Sequence, residues 1–338
     1  QVCSEALRLL PGQDIPLAAM SYCILGEIRR EWNELDAAET VLRHALAISE
    51  EAGSPEYIND GLIYLAQVLY AHGRYDEALT TLERIRVMVQ MRQLAPWDLN
   101  QMEIVRARAL IARGNLDEAS RWAEGRLRSR EQGEPGPTAP LAFMYDLEDL
   151  SIARVLLARR DADAIIPILE PLAQRASETG QWRNLMEARM LLGLAHWLSG
   201  EDEAAVCELH AALALAAPEG FVRVFLDEGE VMADLLTCYL AGQPSSAARE
   251  REHARRLLAA FGRAADAPIP DNPLDVLSPR EADVLRLLAT GRSNEEIAGD
   301  LVLALSTVKW HVAHIYRKLG VRGRMQAVAR ARDLRLIA

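Results

Sequence analysis

The chain has 338 residues, half of them hydrophobic and 26% charged, with a net charge of −11. That is the make-up of a globular chain of about two or three domains at ~100–200 residues each, and no run approaches the ~18–20 unbroken apolar residues of a membrane helix. The charge is uneven: Ser278 to Ala338 holds nine Arg and two Lys against six Asp and Glu, a balance of +5, which leaves −16 on the rest. An acidic body is repelled by nucleic acid and a basic tail attracted, so any DNA-binding surface is expected at the C-terminal end.

The sequence opens Gln1-Val2-Cys3-Ser4-Glu5, with no charged leader, no apolar run and no Met. It therefore reads as a piece of a longer, cytoplasmic polypeptide. Cys3, Cys23, Cys207 and Cys238 form no C-x-x-C pair and are expected as free thiols. The only lysines are Lys309 and Lys318, neither preceded by Gly. A phosphate-binding G-x-x-x-x-G-K-[ST] loop is thus excluded within these residues. No nucleophile elbow and no metal-ligand spacing is present, so no catalytic residue, metal or cofactor is assigned and an enzyme is not expected.

From about Leu17 to Ala217, apolar residues recur at i, i+3, i+4 and i+7, the pattern of successive amphipathic helices. A turn device repeats: a small or polar residue, an acidic residue, then Ala. It occurs at Leu35-Asp36-Ala37-Ala38, Gly73-Arg74-Tyr75-Asp76-Glu77-Ala78, Gly114-Asn115-Leu116-Asp117-Glu118-Ala119, Arg160-Asp161-Ala162-Asp163-Ala164 and Gly200-Glu201-Asp202-Glu203-Ala204. The anchor alanines Ala38, Ala78, Ala119, Ala164 and Ala204 are 40, 41, 45 and 40 residues apart. Gly would end one helix in the left-handed conformation, and Asp would start the next as a cap or against its dipole. A fixed period of ~20–50 residues marks a solenoid, and this one resembles the tetratricopeptide repeat with longer helices, giving five helix pairs. Its concave face suits a ligand or partner. Tyr22, Trp32, Tyr57, Tyr64, Tyr70, Trp97, Trp122 and Trp182 are expected mainly as packing residues. Residues 134–140 read as a loop, 218–262 as capping helices and 263–276 as a linker, following a repeat domain at 1–217.

Beyond the linker, 277–338 reads as a small four-helix domain. Ser278 caps the first helix, with Pro279 at its first position and Glu281 completing a capping box. Val284, Leu285 and Leu288 form its apolar face and Gly291 stops it. Ser293 or Asn294 caps the second helix, which runs to Leu301. Ser306 can cap a third, Thr307 to Leu319, whose Val308, Val312, Ile315 and Leu319 make one buried stripe. A fourth helix spans about Met325 to Leu334. Two short helices joined by a tight turn, the second basic, form a helix-turn-helix that places the second in the major groove. Lys309 suits guanine or a phosphate, Trp310 sugars and methyl groups, and Ala313 a close backbone or a thymine methyl. Thr307, Arg317, Lys318, Arg322 and Arg324 suit phosphates. His311 is expected to pack or hydrogen-bond within the domain. Arg330, Arg332 and Arg335 are either part of the surface charge or a solvated face.

The run Leu277-Ser278-Pro279-Arg280-Glu281, with Gly291, Ser293 to Ala298, Thr307-Val308-Lys309, His311, Tyr316 to Val321 and Ala327-Val328, closely resembles the LuxR-type DNA-binding domain. The resemblance implies DNA contacts from Thr307, Lys309, Trp310 and Ala313. The body is similar to the sensor arm of MalT-type regulators, and Gly220-Phe221-Val222-Arg223-Val224-Phe225-Leu226-Asp227-Glu228-Gly229 is similar to the stretch just after their repeats. Fold class is therefore all-α, a tetratricopeptide-like superhelix followed by a helix-turn-helix domain. The resemblance implies a transcription regulator, an activator, with double-stranded DNA, RNA polymerase and a second copy on DNA as partners and an inducer or protein in the arm. ATP is expected only on an N-terminal module outside this sequence. The competing reading is a repeat scaffold that its DNA domain merely localises.

Overall fold

The apolar periodicity resolves into helices throughout. The computed structural model describes residues 16–95, 98–132, 143–242, 247–262 and 279–301, then 308, 311, 312, 315, 316, 319, 321, 323–334, 336 and 337. The expected loop at 134–140 and linker at 263–276 lie outside these residues. Among the described residues there are sixteen helices and no strand. None of these helices is long and apolar enough to cross a membrane.

Ten helices form five hairpins: α1 (Pro16–Glu31) with α2 (Leu35–Glu51), α3 (Pro55–Ala71) with α4 (Tyr75–Gln90), α5 (Asp98–Arg113) with α6 (Leu116–Glu131), α7 (Phe143–Arg159) with α8 (Ile166–Thr179), and α9 (Trp182–Ser199) with α10 (Asp202–Ala216). Each hairpin turns through one left-handed residue. Gly73 (φ +76°) and Gly200 (φ +80°) serve where no Cβ is present, and Asn33 (φ +62°) and Arg160 (φ +59°) stand in the equivalent places. These turn residues, with Gly114, are spaced by 40, 41, 46 and 40 residues, so they carry the repeat register.

Of the two readings of the acidic turn residues the dipole one holds, and the alanine register is corrected in two hairpins. The acidic residues are not caps: the N-cap positions are Glu34, Arg74, Asn115 and Glu201, none with a side-chain cap bond, while Asp36, Asp76, Asp117 and Asp202 sit in the first helical turn, against the positive end of the dipole. The anchor alanine is the fourth residue of the second helix. Ala38, Ala78 and Ala119 fill it and are fully buried. In the last hairpin it is Ala205, not Ala204, because α10 starts at Asp202. In the fourth it is Leu169, since extra turn residues delay α8 to Ile166 and leave Ala164 only partly buried.

Successive first helices (α1, α3, α5, α7, α9) pack side by side, while each second helix leans on its own first helix and most lean on the next one too. The first helices thereby line the inside of a superhelix and the second helices its outside. The apolar core runs as two clusters that meet on α5 at Val105 and Ala107. Helix backbone comes close to Gly193 of α9, where a Cβ would lie 3.2 Å from the Ala205 carbonyl oxygen and 3.3 Å from the Leu209 nitrogen of α10.

After α10 the chain makes a short helix, α11 (Arg223–Leu226), then α12 (Glu230–Gly242) and α13 (Ala248–Ala260). α12 and α13 pack on α10, and α11 reaches back to α1. His253 of α13 donates from Nε2 to the Phe221 carbonyl (2.9 Å) and meets the Phe225 ring edge-on. The C-terminal unit contains α14 (Pro279–Ala289), α15 (Asn294–Leu301) and α16 (Arg324–Asp333), with helical backbone also at Val308, His311, Val312, Ile315 and Tyr316. It has its own core, in which Val284, Leu285 and Leu288 of α14 meet Val308, Val312, Ile315 and Leu319.

Gly193→Val places a branched side chain against helix backbone that cannot move cheaply. It is expected to destabilise the repeat array by about 1–3 kcal/mol, measured as a lower midpoint of urea unfolding followed by circular dichroism.

Candidate functional site

The inner helices present one face each to a shared lumen. α3 contributes Asp60, Ile63, Tyr64 and Gln67; α5 contributes Gln101, Ile104, Val105 and Arg108; α7 contributes Leu147, Leu150, Ser151 and Arg154. In each helix the spacing is i, i+3, i+4, i+7, a single stripe. α1 adds Glu27 and Arg30, and α9 adds Arg183 and Glu187. Together with Asp227 they line a partly open cavity of about 380 Å³. A second space of about 220 Å³ shares Tyr70, Arg108, Arg154 and Asp227 with it.

Across one side of this lumen runs a continuous set of ion pairs. Arg30 binds Glu27 (3.0 Å), Glu31 and Asp227 (3.3 Å). Arg183 binds Glu31 (2.8 Å), Glu27 (3.1 Å) and Glu187 (3.3 Å). Arg154 joins Glu187 (2.8 Å) to Glu228 (2.7 Å), and Arg108 reaches Glu228 (3.3 Å) and Asp227 (3.6 Å). Arg223 closes on Asp227 at 2.5 Å. Burial opposes ionisation of Glu187, yet Arg154, Arg183 and Arg108 outweigh it and hold its carboxyl down at about 2. Desolvation likewise opposes the charge of Arg30, and the carboxylates of Glu27, Glu31 and Asp227 more than restore it.

The segment carrying Asp227 and Glu228 is also fixed through its backbone. The Val222 amide donates to the Glu31 carbonyl (3.0 Å) and the Val224 amide to the Glu31 carboxylate (3.3 Å), so Glu31 satisfies the start of α11. Trp32 Nε1 donates to the Glu219 carbonyl (3.3 Å), and Tyr70 donates its hydroxyl to the Asp227 carbonyl (3.1 Å). The first hairpin, the last hairpin and the post-repeat segment are thereby joined across the concave side.

The aromatic residues divide. Tyr22 packs edge-on against His44 with ring centroids 4.8 Å apart. Tyr64 and Tyr70 line the lumen instead, and Trp32 (52%) and Trp182 (60%) are exposed. Trp97 lies outside the described residues. Apart from Tyr64, Tyr70 and Asp227, the lumen residues are not among those the sequence singles out. Their signal is nevertheless present: polar side chains recur on a face that otherwise reads as core, with Glu27, Gln67, Arg108 and Arg154 spaced by 40, 41 and 46 residues, the register of the turns.

In the C-terminal unit the expected stripe is in place, with Val308 and Ile315 fully buried and Val312 and Leu319 7% exposed. His311 is buried beside it. Thr307, Lys309, Trp310, Ala313, Arg317, Lys318 and Arg322, and the caps Ser278 and Ser306, lie outside the described residues. Of the two candidate caps for α15, Ser293 holds the position: its Oγ accepts from the Glu296 amide (3.2 Å), and the Glu296 carboxylate accepts from the Ser293 amide (2.7 Å). Asn294, the other candidate, is the first helical residue, because the box needs its acidic partner three residues on, and that is Glu296 from Ser293. Arg324, expected at a phosphate, is engaged inside the unit. Its guanidinium donates to the carbonyls of Leu288 (2.8 Å) and Arg292 (2.6 Å), tying α16 to the end of α14. Arg330 and Arg332 are exposed.

Residues 1–242 match the MalT-like TPR region family, and residues 275–331 match the bacterial regulatory proteins of the luxR family.

One lumen residue makes stability depend on pH. Burial, reinforced by Asp98, pushes the Asp60 carboxyl up to about 6. The folded chain therefore keeps a proton that the unfolded chain has lost between pH ~4 and ~6. The contribution of Asp60 is most favourable below that window and falls as pH rises through it. Asp60→Asn is expected to raise the thermal midpoint at pH 7.5, with the gap over wild type shrinking steadily below pH 6. Differential scanning calorimetry across that range checks it.

Proposed function

The chain belongs to the family defined by the MalT-like TPR region and carries a luxR-family domain at its C-terminal end, and on that premise we propose that it is a transcription activator whose helical arm senses a small-molecule inducer. Binding of DNA follows from the luxR-family domain. The activator role, the inducer and a cytoplasmic setting are the reading built on it.

For the DNA end, the carrying observation is the burial of Val308, Val312, Ile315 and Leu319 in one core with α14. With that stripe committed inward, Lys309, Trp310 and Ala313 are the residues proposed for the groove, and Thr307, Arg317, Lys318 and Arg322 for phosphates. The luxR-family match over 275–331 supports the same placement. Arg324, already engaged with two carbonyls, is proposed to set the geometry of the unit.

For the arm, the observation that favours a small-molecule sensor over a scaffold is the segment at 222–228. It lies across the concave side and leaves a cavity of about 380 Å³, the size of a metabolite and too small for a partner helix. A scaffold requires an open groove. RNA polymerase and a second copy of the chain on DNA complete the proposal as partners.

Selection of the purified chain on random duplex DNA, at two salt concentrations, tests the DNA assignment. An enriched motif is expected for wild type. Lys309→Ala is expected either to lose it, with discrimination reduced by about 1–3 kcal/mol at one base pair, or to weaken all sites evenly with a salt slope smaller by about 1. Binding indifferent to Lys309 contradicts the assignment.

A further inference from the structure

The ion pairs across the lumen are balanced. Arg30, Arg108, Arg154, Arg183 and Arg223 face Glu27, Glu31, Glu187, Asp227 and Glu228, five charges of each sign. None of these guanidinium groups is left over to hold an anion.

Asp60 stands on the same wall but outside that balance. Among the described residues no Arg or His makes an ion pair with it. The charged group facing it from α5 is another carboxylate, Asp98, which accepts from Asn59 Nδ2 (3.2 Å) and from the Ala95 amide (2.9 Å). From α1 it is approached by the Cys23 thiol, which burial and then Asp60 push up to about 12. Tyr64, one turn along α3, lies within the fields of both Asp60 and Glu27, and burial first and then these charges push its hydroxyl to about 12. Among the described residues, no cation is among the groups that set the Asp60 carboxyl. Two turns along the same helix, the Gln67 Oε1 atom is closed off from solvent and has no hydrogen-bond donor on it. Among the described residues no donor is bonded to Asp60 or to Gln67 Oε1, and both residues belong to the cavity wall. Beside them the wall is apolar, formed by Ile63, Ile104 and Leu150.

Resting on the reading of the arm as a small-molecule sensor, we propose that the lumen binds a compact organic ammonium, its charged head on Asp60 and its carbon skeleton on Ile63, Ile104 and Leu150. A cation is the one ligand charge that relieves the two facing carboxylates, and its N–H groups donate to Asp60. A cavity of about 150 Å³ holds a benzene ring, so one of 380 Å³ holds a molecule of roughly ten to fifteen heavy atoms. Protonation of Asp60 near pH 6 removes the attraction, so affinity falls in mild acid.

Titration calorimetry of the full chain at pH 7.5 tests this with n-hexylammonium chloride, and with sodium hexanoate and hexan-1-ol as probes of the same shape. Wild type is expected to bind hexylammonium at least tenfold more tightly than either comparator. Asp60→Asn is expected to lose that preference while keeping its circular dichroism spectrum, and wild type at pH 5 to lose most of it. Absence of hexylammonium binding, equal binding by Asp60→Asn, or equal affinity for hexanoate overturns the proposal. Ser151→Trp, which fills the lumen from α7, separates the two levels of the reading. A comparator that binds wild type at least as tightly as hexylammonium, and fails to bind this variant, overturns the ammonium and leaves the sensor standing. If no probe binds and Ser151→Trp leaves operator binding unchanged, both fall.

Discussion

Asp227 and Glu228 reach into the concave side of the helical arm and meet arginines from α1, α5 and α7. Taking charges out of water is costly, and a buried carboxylate left without its partner is costlier than the same site filled with apolar side chains. A network of this kind therefore adds little net stability over good packing, yet half of it is strongly unfavourable, by about 3–5 kcal/mol when one partner is removed. The closed arrangement is in effect all or none. It makes five hairpins, otherwise held only to their neighbours, share one fixed lumen. Arg154 illustrates the coupling, since it binds Glu187 of the last hairpin and Glu228 of the segment beyond it.

The same constraint links the lumen to the helices after the repeats. The segment of α11 is held on one side by Glu31 and on the other by His253 of α13. A group entering the lumen touches residues that share partners with Asp227, and α12 and α13 follow that segment in the chain. That unit stands on its own core, with the Ser293–Glu296 box starting α15 and Arg324 binding the end of α14. The division of charge, −16 against +5, gives the two parts opposite behaviour toward a phosphate backbone.

Helices, hairpin turns and the two core stripes are legible in the sequence because each depends on residues close together along the chain. Val308, Val312, Ile315 and Leu319 follow helical spacing, and a helical spacing has one inside. The alanine register fails in the fourth and fifth hairpins because the Asp-Ala pattern comes five residues early in the fourth, where extra turn residues delay the helix, and one residue early in the fifth; the left-handed residue, Asn33 to Gly200, is the firmer marker. The Asn294 assignment fails for a similar reason, since adjacent Ser293 and Asn294 both suit a cap and only the position of Glu296 decides. Tyr64 and Tyr70 read as packing because an aromatic residue on an inner helix looks the same from its neighbours whether the space opposite is filled or empty. The lumen itself is not legible. Arg30 and Asp227 are 197 residues apart and Glu31 and Arg183 are 152 apart, so no local pattern pairs them. Arg324 binds two carbonyls through one guanidinium nitrogen, a role that no local sequence pattern announces.

Hydrogen exchange of the backbone amides of Val222 and Val224 tests the closure most directly. Both are bonded to Glu31, nearly two hundred residues away in sequence. If the lumen is closed by this segment, the two amides exchange about as slowly as the buried amides of α9, and Arg154→Met speeds them together with Arg183-facing positions of α1. Exchange at the rate of an open loop, unchanged by Arg154→Met, contradicts the closed arm and with it the ligand site.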